Sequence, residues 1–199
     1  MQNKCLLALG LFMMVFFADT KSQNDSQNFP LKISVLDESI TFPSFNFLSF
    51  DYNPAFLIGT EYQLKENPNS EWFIAGNLGF LHHKEMQTAV FLTTEFAYRR
   101  YFGPLSLRIG LGPGYLHGFA TGPVYRVENG SYEEVGNSGT PYFLVSATAE
   151  LGYRLGEDRY SPELFITWSN SVELPLNAYT TAHQLVGVGI KIYPFNNNH

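Results

Sequence analysis

From Gln87 to Tyr115 the chain alternates apolar residues with polar or small ones at a period of two. Val90, Leu92, Thr94, Phe96 and Tyr98 occupy one parity, and Phe91, Thr93, Glu95, Ala97 and Arg99 the other. After Phe102-Gly103-Pro104 the alternation resumes, with Leu105, Leu107, Ile109 and Leu111 set against Ser106, Arg108, Gly110, Gly112 and Gly114. Successive side chains of a strand point to opposite faces, so this period marks half-buried β-strands. The Gly-Pro connection is short enough for a tight turn between antiparallel neighbours. One face is a continuous apolar stripe. The other has small side chains and isolated charges of both signs.

The same rhythm predicts strands over 32–42, 55–65, 71–82, 87–101, 105–118, 142–155, 162–173 and 183–193, the first interrupted by Asp37-Glu38. They exceed the roughly 5–6 residues typical of soluble sheets. They suit the roughly 9–11 residues that a tilted strand needs inside hydrocarbon, with rims to spare. Beyond the N-terminal apolar run, no segment has a helical period. The connections 66–70, 102–104 and 156–161 are short and rich in turn formers. Of the alternate ones (43–54, 83–86, 119–141 and 174–182), all but 83–86 are longer. Transmembrane barrels have this asymmetry of short periplasmic turns and longer outer loops.

The polar parity decides between two barrels. A soluble secreted ligand-binding barrel turns its polar face to water and crowds it with long charged side chains. Here that parity carries Gly59, Glu61 and Gln63, then Ala75, Asn77 and Gly79, then Ser146, Thr148, Glu150 and Gly152, then Gly187, Gly189 and Lys191. Small side chains with scattered charges fit the narrow lumen of an eight-stranded barrel. The opposite parity (Phe56, Ile58, Tyr62; Trp72, Ile74, Leu78; Val186, Val188, Ile190) suits a lipid-facing wall. The expectation is therefore an all-β, eight-stranded antiparallel up-and-down transmembrane barrel over 32–195. In its lumen Glu61, Glu95, Glu150 and Glu163 would balance Arg99, Arg108, Arg154 and Lys191. Buried charges persist only when paired, and eight strands leave little room for a pore, so these eight residues are expected to form an ion-paired plug.

Composition narrows the class further. The 199 residues are 16% aromatic and 15% charged with a net charge of −6, so no basic surface points to nucleic acid. Lys4 followed by the apolar run 5–18 and small residues at Ala18, Thr20 and Ser22 reads as an export signal over 1–22, with a polar lead-in over 23–31. Cys5 is the single cysteine and lies inside that signal, so the exported chain is expected to have no disulfide.

The export signal, the strand rhythm and the aromatic-rich ending 186–195 resemble small eight-stranded outer-membrane β-barrels of Gram-negative bacteria. That resemblance implies an outer-membrane location, contact with lipid and lipopolysaccharide, passage through the insertion machinery, a monomer, and a structural or surface-interaction role. Tyr193 and Phe195 are followed by Asn196-Asn197-Asn198-His199, a polar tail where such barrels usually end on an aromatic residue.

Trp168-Ser169-Asn170, with Asn177 beyond, is similar to a segment of the outer-membrane lipid A deacylase family. The similarity implies Ser169 as a nucleophile and an acyl-ester hydrolase, or an inactive relative, as the alternative function. The family's base histidine falls two residues earlier, where this chain has Thr167. A serine without a base is a weak nucleophile. His82-His83 would point to opposite faces of a strand, which disfavours a shared metal. Gly110-Leu111-Gly112-Pro113-Gly114 lacks the Lys-Ser/Thr of a phosphate loop. No metal or other cofactor is implied.

Overall fold

The computed structural model describes residues 29–39, 52–84, 86–128, 130–174 and 181–194. The expected signal, most of the lead-in, Asn177, Phe195 and the polar tail lie outside these residues. Among the described residues ten strands form: β1 (Leu31–Ser39), β2 (Pro54–Asn67), β3 (Ser70–His82), β4 (Gln87–Phe102), β5 (Leu105–Ala120), β6 (Val124–Glu128), β7 (Ser131–Val135), β8 (Thr140–Arg154), β9 (Glu163–Leu174) and β10 (Thr181–Ile192). Eight of them close into an antiparallel barrel in the order β1-β2-β3-β4-β5-β8-β9-β10, and β10 pairs back onto β1. The register at this seam sets Leu31 against Ile192 and Ser39 against Gln184. Closure leaves no free edge in the barrel, which a strand protein in lipid requires.

Period-two patterning becomes inside and outside. Every barrel strand turns large apolar residues outward, among them Ile33, Ile58, Leu78, Leu92, Ile109, Leu151, Ile166 and Val188, all 45–60% exposed. Soluble monomers rarely expose more than a few hundred Å² of contiguous apolar surface, so a belt running round the whole barrel matches lipid and not water. Stacked aromatics mark its turn-side border at Trp72 and Phe96, whose centroids lie 5.0 Å apart. At the loop side His117 packs between Tyr115 and Phe119. Two such rims are the usual girdles of transmembrane barrels.

Glycines on the inner parity make the lumen narrow enough to fill. The Phe91 ring lies where a Cβ on Gly79 would stand, and the Glu163 carboxylate and Ser106 hydroxyl occupy the same place at Gly152. At the turn between β4 and β5, Gly103 takes a φ of 64°, a left-handed conformation that glycine adopts without steric penalty.

Residues 119–141, expected to form one long outer loop, instead contain β6 and β7, a separate two-stranded hairpin. The missed signal is Asn129-Gly130 between two apolar-polar runs, a strong hairpin dipeptide; Gly130 has the positive φ (82°) that such a turn needs. Tyr125, Val127 and Tyr132 on this hairpin are exposed. The hairpin pairs only within itself among the described strands. Replacing 124–135 with a short Gly-Ser turn is expected to leave the barrel's heat-modifiable gel migration and urea midpoint unchanged; a lowered midpoint would show that the hairpin supports the barrel.

Candidate functional site

Alternation places long ionic side chains in the lumen, and the barrel's curvature then chooses their partners. Arg99 on β4 grips Glu61 on β2 with two parallel bonds, Nη1 to Oε2 at 2.8 Å and Nη2 to Oε1 at 2.6 Å, and also donates to Glu71 on β3. Arg108 on β5 donates to Glu150 on β8 at 3.1 Å and to Glu95 on β4. Lys32 on β1 reaches across the lumen to Glu150, 2.6 Å away. Lys191 on β10 lies 3.0 Å from Glu163, whose other oxygen accepts from Ser106 at 2.6 Å. Arg99, Arg108, Lys32 and Lys191 are all 1–2% exposed. Phe73 lies beneath both guanidiniums, 4.7 Å from Arg99 and 5.5 Å from Arg108, so its ring face adds cation–π attraction.

Seven of the eight lumen residues named from sequence occupy this buried cluster. Arg154 is placed differently. It lies at the turn-side rim, where it donates to the Gly103 carbonyl and covers the Tyr101 ring at 4.9 Å. Its strand ends there, so its guanidinium reaches a turn carbonyl and not the barrel centre. Lys32, Glu71, Glu38, Glu173 and His183 were missed, although each shares parity with inward neighbours such as Ser34, Phe73, Ser171 and Leu185. Following the alternation to the strand ends would have found them.

Above the ionic layer the lumen changes character. Ser146 and Thr148 donate to Glu95, and a cavity of about 30 Å³ opens among Ser34, Asn77, Thr93, Thr148, Thr167 and Ser169, room for roughly one or two waters. Leu36, Ala55, Leu81, Phe91, Leu116, Leu144 and Leu185 then seal it toward the loops. At the loop-side rim, Glu38, His183, Glu173 and Gln87 form a second polar cluster. At the turn-side rim Arg159, from the β8–β9 connection, spans the mouth to Glu66 and Glu71 and donates to the Asn67 carbonyl.

Ser169 points into this lumen, not onto the lipid-facing wall. Its Oγ lies 3.0 Å from Thr148 Oγ1. Across the β9–β10 ladder it faces Leu185, while His183 stands opposite Ser171 with both ring nitrogens on carboxylates. His82 Nδ1 is 2.8 Å from Thr88 Oγ1, and His117 bridges Tyr115 and the Ser138 carbonyl. None of these contacts brings a histidine to Ser169.

No family model matches the chain, and no curated protein matches it. Solved structures do. The outer-membrane enzyme PagL superposes with a TM-score of 0.50 at 10% identity, over 82% of this chain and 98% of that one. Neisserial surface protein A (NspA) gives 0.52 at 8% identity, over 83% and 97%. Together with the closed ring of eight strands, these matches define the fold as that of the small outer-membrane β-barrels.

Removing one partner from the lumen strands a charge away from water. Arg108→Ala, which takes the cation from Glu95 and leaves Glu150 with Lys32 alone, is expected to lower stability by about 3–5 kcal/mol in urea unfolding of the detergent-folded protein. Arg154→Ala, at the rim, is expected to lower it by less than about 1 kcal/mol. Equal effects would contradict the division between centre and rim.

Proposed function

We propose that this protein is an outer-membrane β-barrel with a closed lumen, serving as a structural element or as a surface for interaction and not as a pore or an enzyme. The observation that carries the reading is the inversion of polarity: an apolar belt faces outward on every barrel strand, and paired charges fill the inside. Outer-membrane lipid, including lipopolysaccharide, is the partner of the belt. The chain enters through the insertion machinery and functions as a monomer. The short connections face the periplasm. The longer ones, with the β6–β7 hairpin, face outward and form the surface available to other molecules.

Two features support a closed barrel. The ionic layer and the apolar layer above it lie in series along one narrow lumen, so a hydrated ion would have to displace both. Two features weigh against acyl hydrolysis. Thr167 stands where the deacylase pattern requires a base, and Ser169 Oγ is engaged by Thr148 inside the lumen, away from lipid acyl chains.

The expected outcome is that the expressed chain fractionates with the outer membrane, migrates faster in gels before boiling than after, and gives no conductance steps in planar bilayers. Recovery as a soluble periplasmic protein would overturn the reading. Lipid A examined by mass spectrometry is expected to keep all its acyl chains when the protein, or its Ser169→Ala variant, is expressed. A shortened lipid A that reverts with Ser169→Ala would establish the hydrolase instead.

A further inference from the structure

We propose that His183 is the proton-binding centre of a clamp that fixes the loop-side rim of the barrel, so that the packing of this rim depends on pH. His183 Nδ1 lies 2.6 Å from Glu38 Oε1, and Nε2 lies 2.7 Å from Glu173 Oε1. With both carboxyl groups ionised, their oxygens only accept hydrogen bonds, so both ring nitrogens donate, and only the imidazolium has two N–H groups. A neutral ring would turn a lone pair toward one carboxylate at hydrogen-bond distance. The proton is therefore part of the closed structure. His183 is 1% exposed, Glu38 0% and Glu173 3%, so bulk solvent does not reach either bond in the closed rim.

The three residues belong to different parts of the chain. Glu38 stands near the end of β1, Glu173 near the end of β9 and His183 near the start of β10. Gln87, which opens β4, donates to the same Glu173 oxygen at 2.8 Å. Glu38 also ties its backbone to Asn53: its N–H donates to the Asn53 carbonyl at 2.9 Å, and Asn53 Nδ2 donates to the Glu38 carbonyl at 3.2 Å. Asn53 Oδ1 in turn accepts from the Lys84 amide at 3.3 Å. The clamp thus holds the ends of the β1–β2, β3–β4 and β9–β10 connections at one point.

Its surroundings make it a separate titrating unit. Among the described residues, the charged groups facing the ring are Glu38 from β1 and Glu173 from β9, with the uncharged Gln87 from β4. Asp37 is directed elsewhere and accepts from the Asn53 amide. Beneath lie Leu36, Ala55, Leu81, Leu116, Leu144 and Leu185, from β1, β2, β3, β5, β8 and β10. The nearest lower inward charge on β1 is Lys32, six residues or about 20 Å down the strand. One imidazolium holds two carboxylates, and Glu38 Oε2 has no hydrogen-bond partner among the described residues. When His183 releases its proton to solvent, two buried carboxylates lose their cation, and the nearest relief is for the rim to part and admit water. The closed rim requires the proton and the open rim does not, so rising pH favours the open rim.

The purified full-length protein in detergent tests this independently of where it resides in the cell. Hydrogen exchange of the amides of Glu38, Asn53 and Lys84 is read across pH, alongside the ring ¹⁵N signals of His183. The expected result is a doubly protonated ring while these amides are protected, then exchange faster on the order of a hundredfold as the ring loses its proton. His183→Gln is expected to exchange fast at every pH. Glu173→Gln, which leaves the ring one anion to hold, is expected to move the transition to lower pH while heat-modifiable migration persists. A neutral ring with protected amides, exchange in His183→Gln that matches the parent, or a transition that ignores Glu173→Gln would each overturn the clamp.

Discussion

A charge removed from water must meet an opposite charge, and this requirement organises the inside of the barrel. Lys32 faces Lys191 across the β1–β10 seam, and Arg99 faces Arg108 across β4–β5. Like charges directly opposite one another destabilise a ladder. The structure offsets both pairs with carboxylates from other strands: Glu61 and Glu71 for Arg99, Glu95 and Glu150 for Arg108, Glu150 for Lys32 and Glu163 for Lys191. The seam itself is secured by this arrangement. Lys32 on the first strand is satisfied by Glu150, three places round the ring, only once the barrel is closed.

That dependence explains the layering. Long ionic chains concentrate toward the turn side, where glycines such as Gly152 leave space for carboxylates. A hydroxyl belt completes the hydrogen bonds of Glu95, and leucines with Phe91 close the lumen toward the loops. The loop-side polar cluster sits beyond this seal. A lumen built this way stabilises a fixed shape.

Barrel and strands were readable from the chain because period two is a local property. Each alternating run assigns its own inside and outside, and the small, sparsely charged parity distinguishes lumen from water. Seven lumen residues followed from that rule alone. Arg154 departed from it because parity gives a side chain's face but not its height, and at the last residue of β8 the guanidinium has a turn carbonyl within reach. The β6–β7 hairpin was missed because its runs are short and polar, although Asn129-Gly130 signalled the turn.

What the sequence determined by itself is the alternation and therefore the wall: which residues face lipid, which face the lumen, and that the inner charges nearly balance. What only the tertiary structure decided is partnership. Whether Arg99 meets Glu61, whether Ser169 meets Thr148 or a histidine, and whether Glu38, Glu173 and His183 converge all depend on strand stagger and on closure of the ring. These quantities are set by the summed register of eight ladders, and no single strand encodes them.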